Sequence, residues 1–287
     1  MSCLNPIRVK SKKQEVYFVG CGKCYKCQAS RQKQWVFRLS QELQDAQSAQ
    51  FVTLTYSDDE VTYMDDKQIL WKPDLQKFIK RIRNSQLRHY KKEYNLKSIK
   101  HAQKKAPQIR YFAVGEYGKQ TLRPHYHVII FNYPHSKRGD IVDIWGKGHV
   151  DIGTVNQKSI VYTTKYVLKD SKHATEYFPQ FNTMSRRPPI GHSYIRKNAK
   201  YHLEHNDILV KDSNGNLMLM PKYYREKIFG KTLTKKLLYL HFKEYQKNLD
   251  KEEKRLKELG NQIGEIEYSI ILDGERRRNN KLKTEKI

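Results

Sequence analysis

IRYFAVGEYGKQTLRPHYHVIIF, residues 109–131, decides the fold. Two β-branched and aromatic runs, IRYFAV (Ile109–Val114) and HYHVIIF (His125–Phe131), flank the polar stretch GEYGKQTLRP. Each run has strand composition, and the glycines and proline between them mark a loop, so the segment is expected to form a hairpin with a long tip. On the second strand the two-residue period puts His125 and His127 on one face and turns Tyr126 and Val128 to the other.

Working outward, QFVTLTY (Gln50–Tyr56) alternates as a third strand, ended by the turn residues Ser57, Asp58 and Asp59. HVDIGTV (His149–Val155) alternates as a fourth. Helices are expected over about 29–46, where Trp35, Leu39 and Leu43 recur on one face, and after Pro73, where Leu75, Phe78, Ile79 and Ile82 form a stripe. A further helix is expected over 157–169 and a long charged one over 232–259, while 1–27 and 95–107 read as irregular. In DILVKDSNGNLMLM (Asp207–Met220), Asn214-Gly215 marks a hairpin turn. The order strand–helix–strand–strand–strand–helix predicts an α+β fold: an antiparallel sheet of about five strands with helices mostly on one face. Three segments are expected: a Cys-rich stretch 1–28, a domain 29–195, and a hairpin followed by a basic helical region, 196–287.

Charge narrows the class of partner. Lys and Arg number 56 against 30 Asp and Glu, a formal net charge of +26. Dense basic runs lie at Lys77–Arg83, Lys100–Lys105 and Arg276–Lys286. An excess this large points to a polyanion, because each neutralised phosphate releases counterions. The 20 Tyr and 10 Phe interleaved with it suit single-stranded nucleic acid, where bases stack on aromatic faces. No apolar run approaches the roughly 20 residues of a membrane span, and no signal-peptide stretch opens the chain, so a cytoplasmic protein without a membrane partner is expected.

His125 and His127 form a candidate metal pair. The spacing alone is weak, since 11 His in 287 residues yield roughly 0.4 such pairs by chance. Glu116, at the end of the preceding strand, reaches the same place if the hairpin closes, and a mixed N and O donor set suits Mg2+ or Mn2+. Tyr162 and Tyr166 share one helical face and are candidate nucleophiles, with Lys165 and Lys169 beside them to hold a phosphate. Tyr90 and Tyr94 repeat the spacing in another basic helix, and spacing does not choose between the pairs. Cys3, Cys21, Cys24 and Cys27 supply four thiols, three of them two residues apart, the set a structural Zn2+ takes. In a cytoplasmic chain disulfides are not expected.

The ordered stretches FVTLTY (51–56), GEYGKQTLRPHYHVIIF (115–131) and YTTKYVLK (162–169) resemble the three motifs of HUH rolling-circle replication initiators. CGKCYKCQASRQKQWVFRL (21–39) and MSRRPPIGHSY (184–194) narrow the resemblance to the initiators of small single-stranded DNA phages, the gokushovirus branch of the Microviridae. It covers about residues 1–195. It implies an HUH endonuclease domain of ferredoxin-like type, with His125, His127 and Glu116 as metal ligands and Tyr162 and Tyr166 as nucleophiles. It further implies metal-dependent nicking and ligation of origin DNA through a 5′-phosphotyrosine, leaving a free 3′-OH primer. Host DNA polymerase and, with no GxxxxGK[ST] loop in the sequence, a host helicase are the implied partners in the bacterial cytoplasm. The family's Pro-Gly-Ile-Gly is PPIG here, so Pro189 departs from the pattern. The competing expectations are a non-catalytic single-stranded nucleic-acid-binding protein, a relaxase or transposase with the same chemistry, and a packaging protein of the virion.

Overall fold

A computed structural model describes residues 3, 5–10, 16–118, 120–165 and 178–258. The chain divides into two compact units, Trp35–Tyr194 and a second made of Met1–Gln34 with Ile195–Ile287.

The first unit is built on one sheet. Its five strands are β3 (Ala49–Thr55), β6 (Arg110–Tyr117), β7 (Pro124–Phe131), β8 (Val150–Thr154) and β9 (Phe181–Met184). The spatial order β8-β3-β7-β6-β9 is antiparallel throughout and puts the histidine strand β7 at the centre. Two short strands, β4 (Tyr63–Met64) and β5 (Lys67–Gln68), pair outside it. The α+β class and the five antiparallel strands are as expected.

Alternation on the strands gives the sheet two different faces. One face buries Val52, Leu54, Tyr126, Val128 and Ile130 against Leu75, Phe78, Ile79 and Ile82 of α2 (Lys72–Glu93) and Ile141 and Trp145 of α4 (Asp140–Trp145). The other buries Phe112, Val114, Ile129 and Phe131 against Leu39 of α1 (Tyr25–Asp45) and Ile160 of α5 (Gln157–Lys165). The helices thus flank both faces rather than mostly one, because strands apolar on both sides need cover on both. A Leu54→Ala change in the first layer should cost about 2–5 kcal/mol.

Three local readings are corrected. The hairpin tip is shorter than expected: β6 runs to Tyr117 and β7 starts at Pro124, leaving Gly118–Arg123 as the turn. Gly115 looked like a loop residue, but it pairs with Phe181, and a Cβ there would lie 3.1 Å from the Phe181 ring and from Leu70. Glycine is what lets β9 lie close. The stretch 95–107 contains α3 (Ile99–Lys105), whose first turn is capped by Ser98 accepting from the His101 N–H. The polar, basic composition of α3 hid it, since a solvated helix shows only one buried residue, Ala102.

The PPIG stretch is held by a largely buried ion pair. Glu42 accepts from Arg110 Nε at 2.6 Å and from the Gly191 N–H at 2.6 Å, while Arg110 Nη1 donates to the Pro188 carbonyl at 2.6 Å. Ile190 is thereby seated in the layer between α1 and the sheet. Pro189, the departure from the family pattern, is not a partner in this latch. As a proline it has no N–H to donate, and its carbonyl accepts from the His192 N–H at 3.1 Å.

In the second unit, residues expected to be irregular form a hairpin of β1 (Ile7–Lys10) and β2 (Val16–Val19). The Asp207–Met220 hairpin forms as expected, with β10 (Leu209–Lys211) and β11 (Leu217–Leu219) and Gly215 at φ +80° in the turn. Helices α6 (Ser193–His205) and α7 (Lys222–Glu258) complete the elements. Helix α7 begins ten residues before the expected start and is broken at Gly230 (φ 71°, ψ 171°). No described helix is long and apolar enough to cross a membrane.

Candidate active site

Sheet register assembles the site. Glu116 on β6 lies directly across from His125 on β7, and Thr53 on β3 directly across from His127. Partners across a ladder share a face, so a carboxylate, two imidazoles and a hydroxyl project together toward the α1/α5 side.

Glu116 Oε1 lies 2.9 Å from His125 Nε2 and 3.0 Å from His127 Nε2. The far side of each ring is also held. His125 Nδ1 lies 3.1 Å from the Arg123 carbonyl, and His127 Nδ1 lies 3.1 Å from Thr53 Oγ1. A carbonyl only accepts, so His125 Nδ1 carries the proton, and in the neutral ring Nε2 presents a lone pair. Lone pairs converging on a carboxylate oxygen need a cation, a proton or a metal, to hold them together. Imidazoles anchored through the opposite nitrogen are the usual arrangement of metal-binding histidines. The donor set of two nitrogens and a carboxylate therefore fits a divalent metal, which Glu116, His125 and His127 would hold; their ligand atoms all lie within 4.8 Å of one another.

Charge agrees with this. Burial alone would push the Glu116 carboxyl up, but hydrogen bonds from His125 and His127 outweigh it and hold the group down at about 2. The carboxyl is therefore ionised, and so competent as a ligand, across the working range of pH.

Tyr162 joins this cluster from α5. That helix buries Ile160, Thr163 and Thr164, which leaves Tyr162 43% exposed and directed along the sheet. Its hydroxyl lies 3.4 Å from His127 Nε2. The ring packs edge-on to His127 and to Phe51, and Phe51 stacks on His127 with planes 12° apart. Lys165, exposed on the same helix, lines an open groove with Gln157, Lys158, Val161 and Tyr162. Tyr166 and Lys169 lie outside the described residues.

The other tyrosine pair sits elsewhere. Tyr90 stacks on Tyr94 at 5.5 Å, and Lys105 of α3 sits 3.5 Å over the Tyr94 ring. They belong to α2, on the sheet face opposite the histidines, and join two helices.

Two residues were missed from the sequence. Thr53 reads there as an ordinary β-branched strand residue; only the pairing with His127 gives its hydroxyl a task. Lys158 lies four residues before Tyr162, so helical spacing alone could have found it.

Residues 49–171 match a family of viral replication-associated proteins, the ORF2 type. The chain is 27% identical to Replication-associated protein VP4 of Bdellovibrio phage phiMH2K, covering 79% of this chain and 76% of that protein. It is 29% identical to Replication-associated protein ORF2 of Spiroplasma virus 4, covering 72% of this chain and 66% of that protein. Among solved structures, the N-terminal nuclease domain of minute virus of mice non-structural protein 1 matches at 14% identity, covering 63% of this chain and 84% of that one, with a TM-score of 0.19.

Proposed function

We propose that this chain, similar over most of its length to phage replication-associated proteins, is a rolling-circle replication initiator that nicks and rejoins single-stranded DNA through a tyrosine. The coarser statement, a phage replication initiator, has the support of the matched relatives and of the matched family over 49–171. The observation that carries the finer one is the Tyr162 hydroxyl 3.4 Å from His127 Nε2, at the edge of the Glu116–His125–His127 cluster.

The chemistry asks for few parts. The phenol oxygen forms a bond to phosphorus, the bond from phosphorus to the 3′ oxygen breaks, the phenol loses its proton and the leaving 3′ oxygen gains one. A divalent cation, Mg2+ or Mn2+, held by Glu116, His125 and His127 would supply positive charge to a non-bridging phosphate oxygen. Tyr162 is held by the Phe51 and His127 rings, so its oxygen needs little reorientation before attack. Lys158 and Lys165 flank it on the solvent side, where the phosphates of a bound strand would run. The phosphotyrosine retains the energy of the broken ester, so rejoining needs no nucleotide. Tyr166 is the second nucleophile in this scheme. Unwinding and synthesis fall to a host helicase and DNA polymerase in the bacterial cytoplasm.

The test is a covalent adduct. Incubated with single-stranded phage origin DNA and Mn2+, the full chain should give a protein–DNA species that survives denaturation, with the DNA mapped to Tyr162 or Tyr166. The Tyr162→Phe/Tyr166→Phe double variant should bind DNA and form none, and Tyr90→Phe and Tyr94→Phe should behave as the parent. An adduct on Tyr90 or Tyr94, or on no tyrosine, would overturn the mechanism.

A further inference from the structure

The four cysteines take no part in the nicking scheme, and all belong to the unit that does not contain the histidine strand. We infer that Cys3, Cys21, Cys24 and Cys27 bind one structural Zn2+ that fastens the chain ahead of β1 to the first turn of α1.

Distance is the first argument. Tetrahedral Zn2+ with bonds of about 2.3 Å separates its sulfurs by about 3.8 Å. Cys3 Sγ and Cys24 Sγ lie 3.8 Å apart, and all four sulfurs lie within 4.8 Å of one another. A disulfide would need about 2.0 Å, and all four thiols are free.

The backbone is the second argument. Cys21-Gly22-Lys23-Cys24 folds into a tight turn with Gly22 at φ +73°, a conformation that side chains strain to adopt. The turn points amide hydrogens at sulfur: the Cys24 N–H donates to Cys21 Sγ and the Cys21 N–H to Cys3 Sγ, each at 3.2 Å. Thiols are poor acceptors and thiolates good ones, so amides aimed at sulfur stabilise the form a metal requires. Helix α1 then starts at Tyr25, with the Gln28 N–H donating to the Cys24 carbonyl at 3.0 Å, so Cys24 and Cys27 bracket its first turn.

Charge and ligand type are the third. Four thiolates around Zn2+ leave two negative charges, and Lys23 and Lys26 lie inside the same stretch. Four protein ligands leave no position open, which makes the centre structural rather than catalytic. Cys3 and Cys21 are 18 residues apart, so the metal closes a loop that contains the whole β1–β2 hairpin. A hairpin of four-residue strands is marginal without such a tie.

The full chain, purified under reducing conditions, should carry one Zn2+ by native mass spectrometry. The His125→Ala/His127→Ala variant should carry the same one, which separates this centre from the histidine site and from the fate of the nicking scheme. Cys21→Ser and Cys24→Ser should lose it. Should those variants fail to fold, Co2+ titrated into the metal-free parent decides: one equivalent should give the thiolate charge-transfer and tetrahedral d–d bands of a four-sulfur site. Four reactive thiols with no bound Zn2+, a disulfide, or the visible absorption of an iron–sulfur cluster would each overturn the inference.

Discussion

The two ligand clusters, Glu116–His125–His127 and Cys3–Cys21–Cys24–Cys27, come from opposite kinds of construction. The first rests on ladder register: Glu116 and His125 meet because β6 and β7 pair there, and Thr53 meets His127 because β3 pairs there. It offers three hard or borderline donors, anchored from behind, with Tyr162 at its edge. The second rests mostly on local chain geometry, three sulfurs within seven residues at a turn and a helix start, and it offers four soft donors with no open position. An open site on rigid strands suits a metal that must share its shell with substrate. A closed site at a chain end suits a metal that substitutes for a core.

The contrast breaks most sharply at His127. His127→Ala removes one ligand and the partner of Tyr162, so cleavage of origin DNA should fall to background while DNA binding and Zn2+ content stay at the parent level. Gel-resolved cleavage, an electrophoretic shift and native mass spectrometry together check this. Loss of zinc in this variant would mean the two clusters are not independent.

The reverse experiment follows in size. Cys24→Ser should abolish zinc binding and destabilise the β1–β2 hairpin and the start of α1, read as lost amide protection there by hydrogen exchange. The sheet amides of β3, β6 and β7 should keep theirs. Equal loss in both would show that the zinc unit supports the whole molecule.

Thr53 sharpens the account of the open site. Thr53→Val keeps the shape of a strand residue but removes the oxygen 3.1 Å from His127 Nδ1. Metal affinity, measured by Mn2+ titration, should weaken about 10–100-fold, as for other outer partners of ligating histidines. Thr53→Ser should restore most of it. A serine variant as weak as valine would assign the effect to packing rather than to the hydrogen bond.

The smallest effect is on acid stability. The Glu116 carboxyl is held below its ordinary 4.5, at about 2, so its share of folded-state stability is present above about pH 4.5 and is lost as pH falls toward 2. In metal-free protein, Glu116→Gln should therefore flatten the acid limb of unfolding between those values. An unchanged acid limb would show that the carboxyl is not held by the two rings.

Much of this was legible in the sequence, for a common reason: those features depend on neighbours along the chain. Period two put His125 and His127 on one face, helical spacing produced the α1 and α2 stripes, and Asn214-Gly215 marked its hairpin. The cysteine spacing likewise announces a cluster before any fold is known. What the sequence could not supply is everything that depends on register or on which face an element covers. Spacing treats Tyr90–Tyr94 and Tyr162–Tyr166 alike; only the packing of α2 and α5 on opposite faces puts the Tyr162 hydroxyl beside His127 and leaves Tyr90 stacked on Tyr94. Strand β9 was hidden just ahead of Pro188, Pro189 and Gly191, and α3 within a basic run, because each is stabilised by partners distant in the chain. Thr53 gained its role from one strand pairing. Local chemistry names the groups, but the convergence of their lone pairs within hydrogen-bond distance is a property of the sheet, since only tertiary contacts can offset the cost of bringing buried polar groups together.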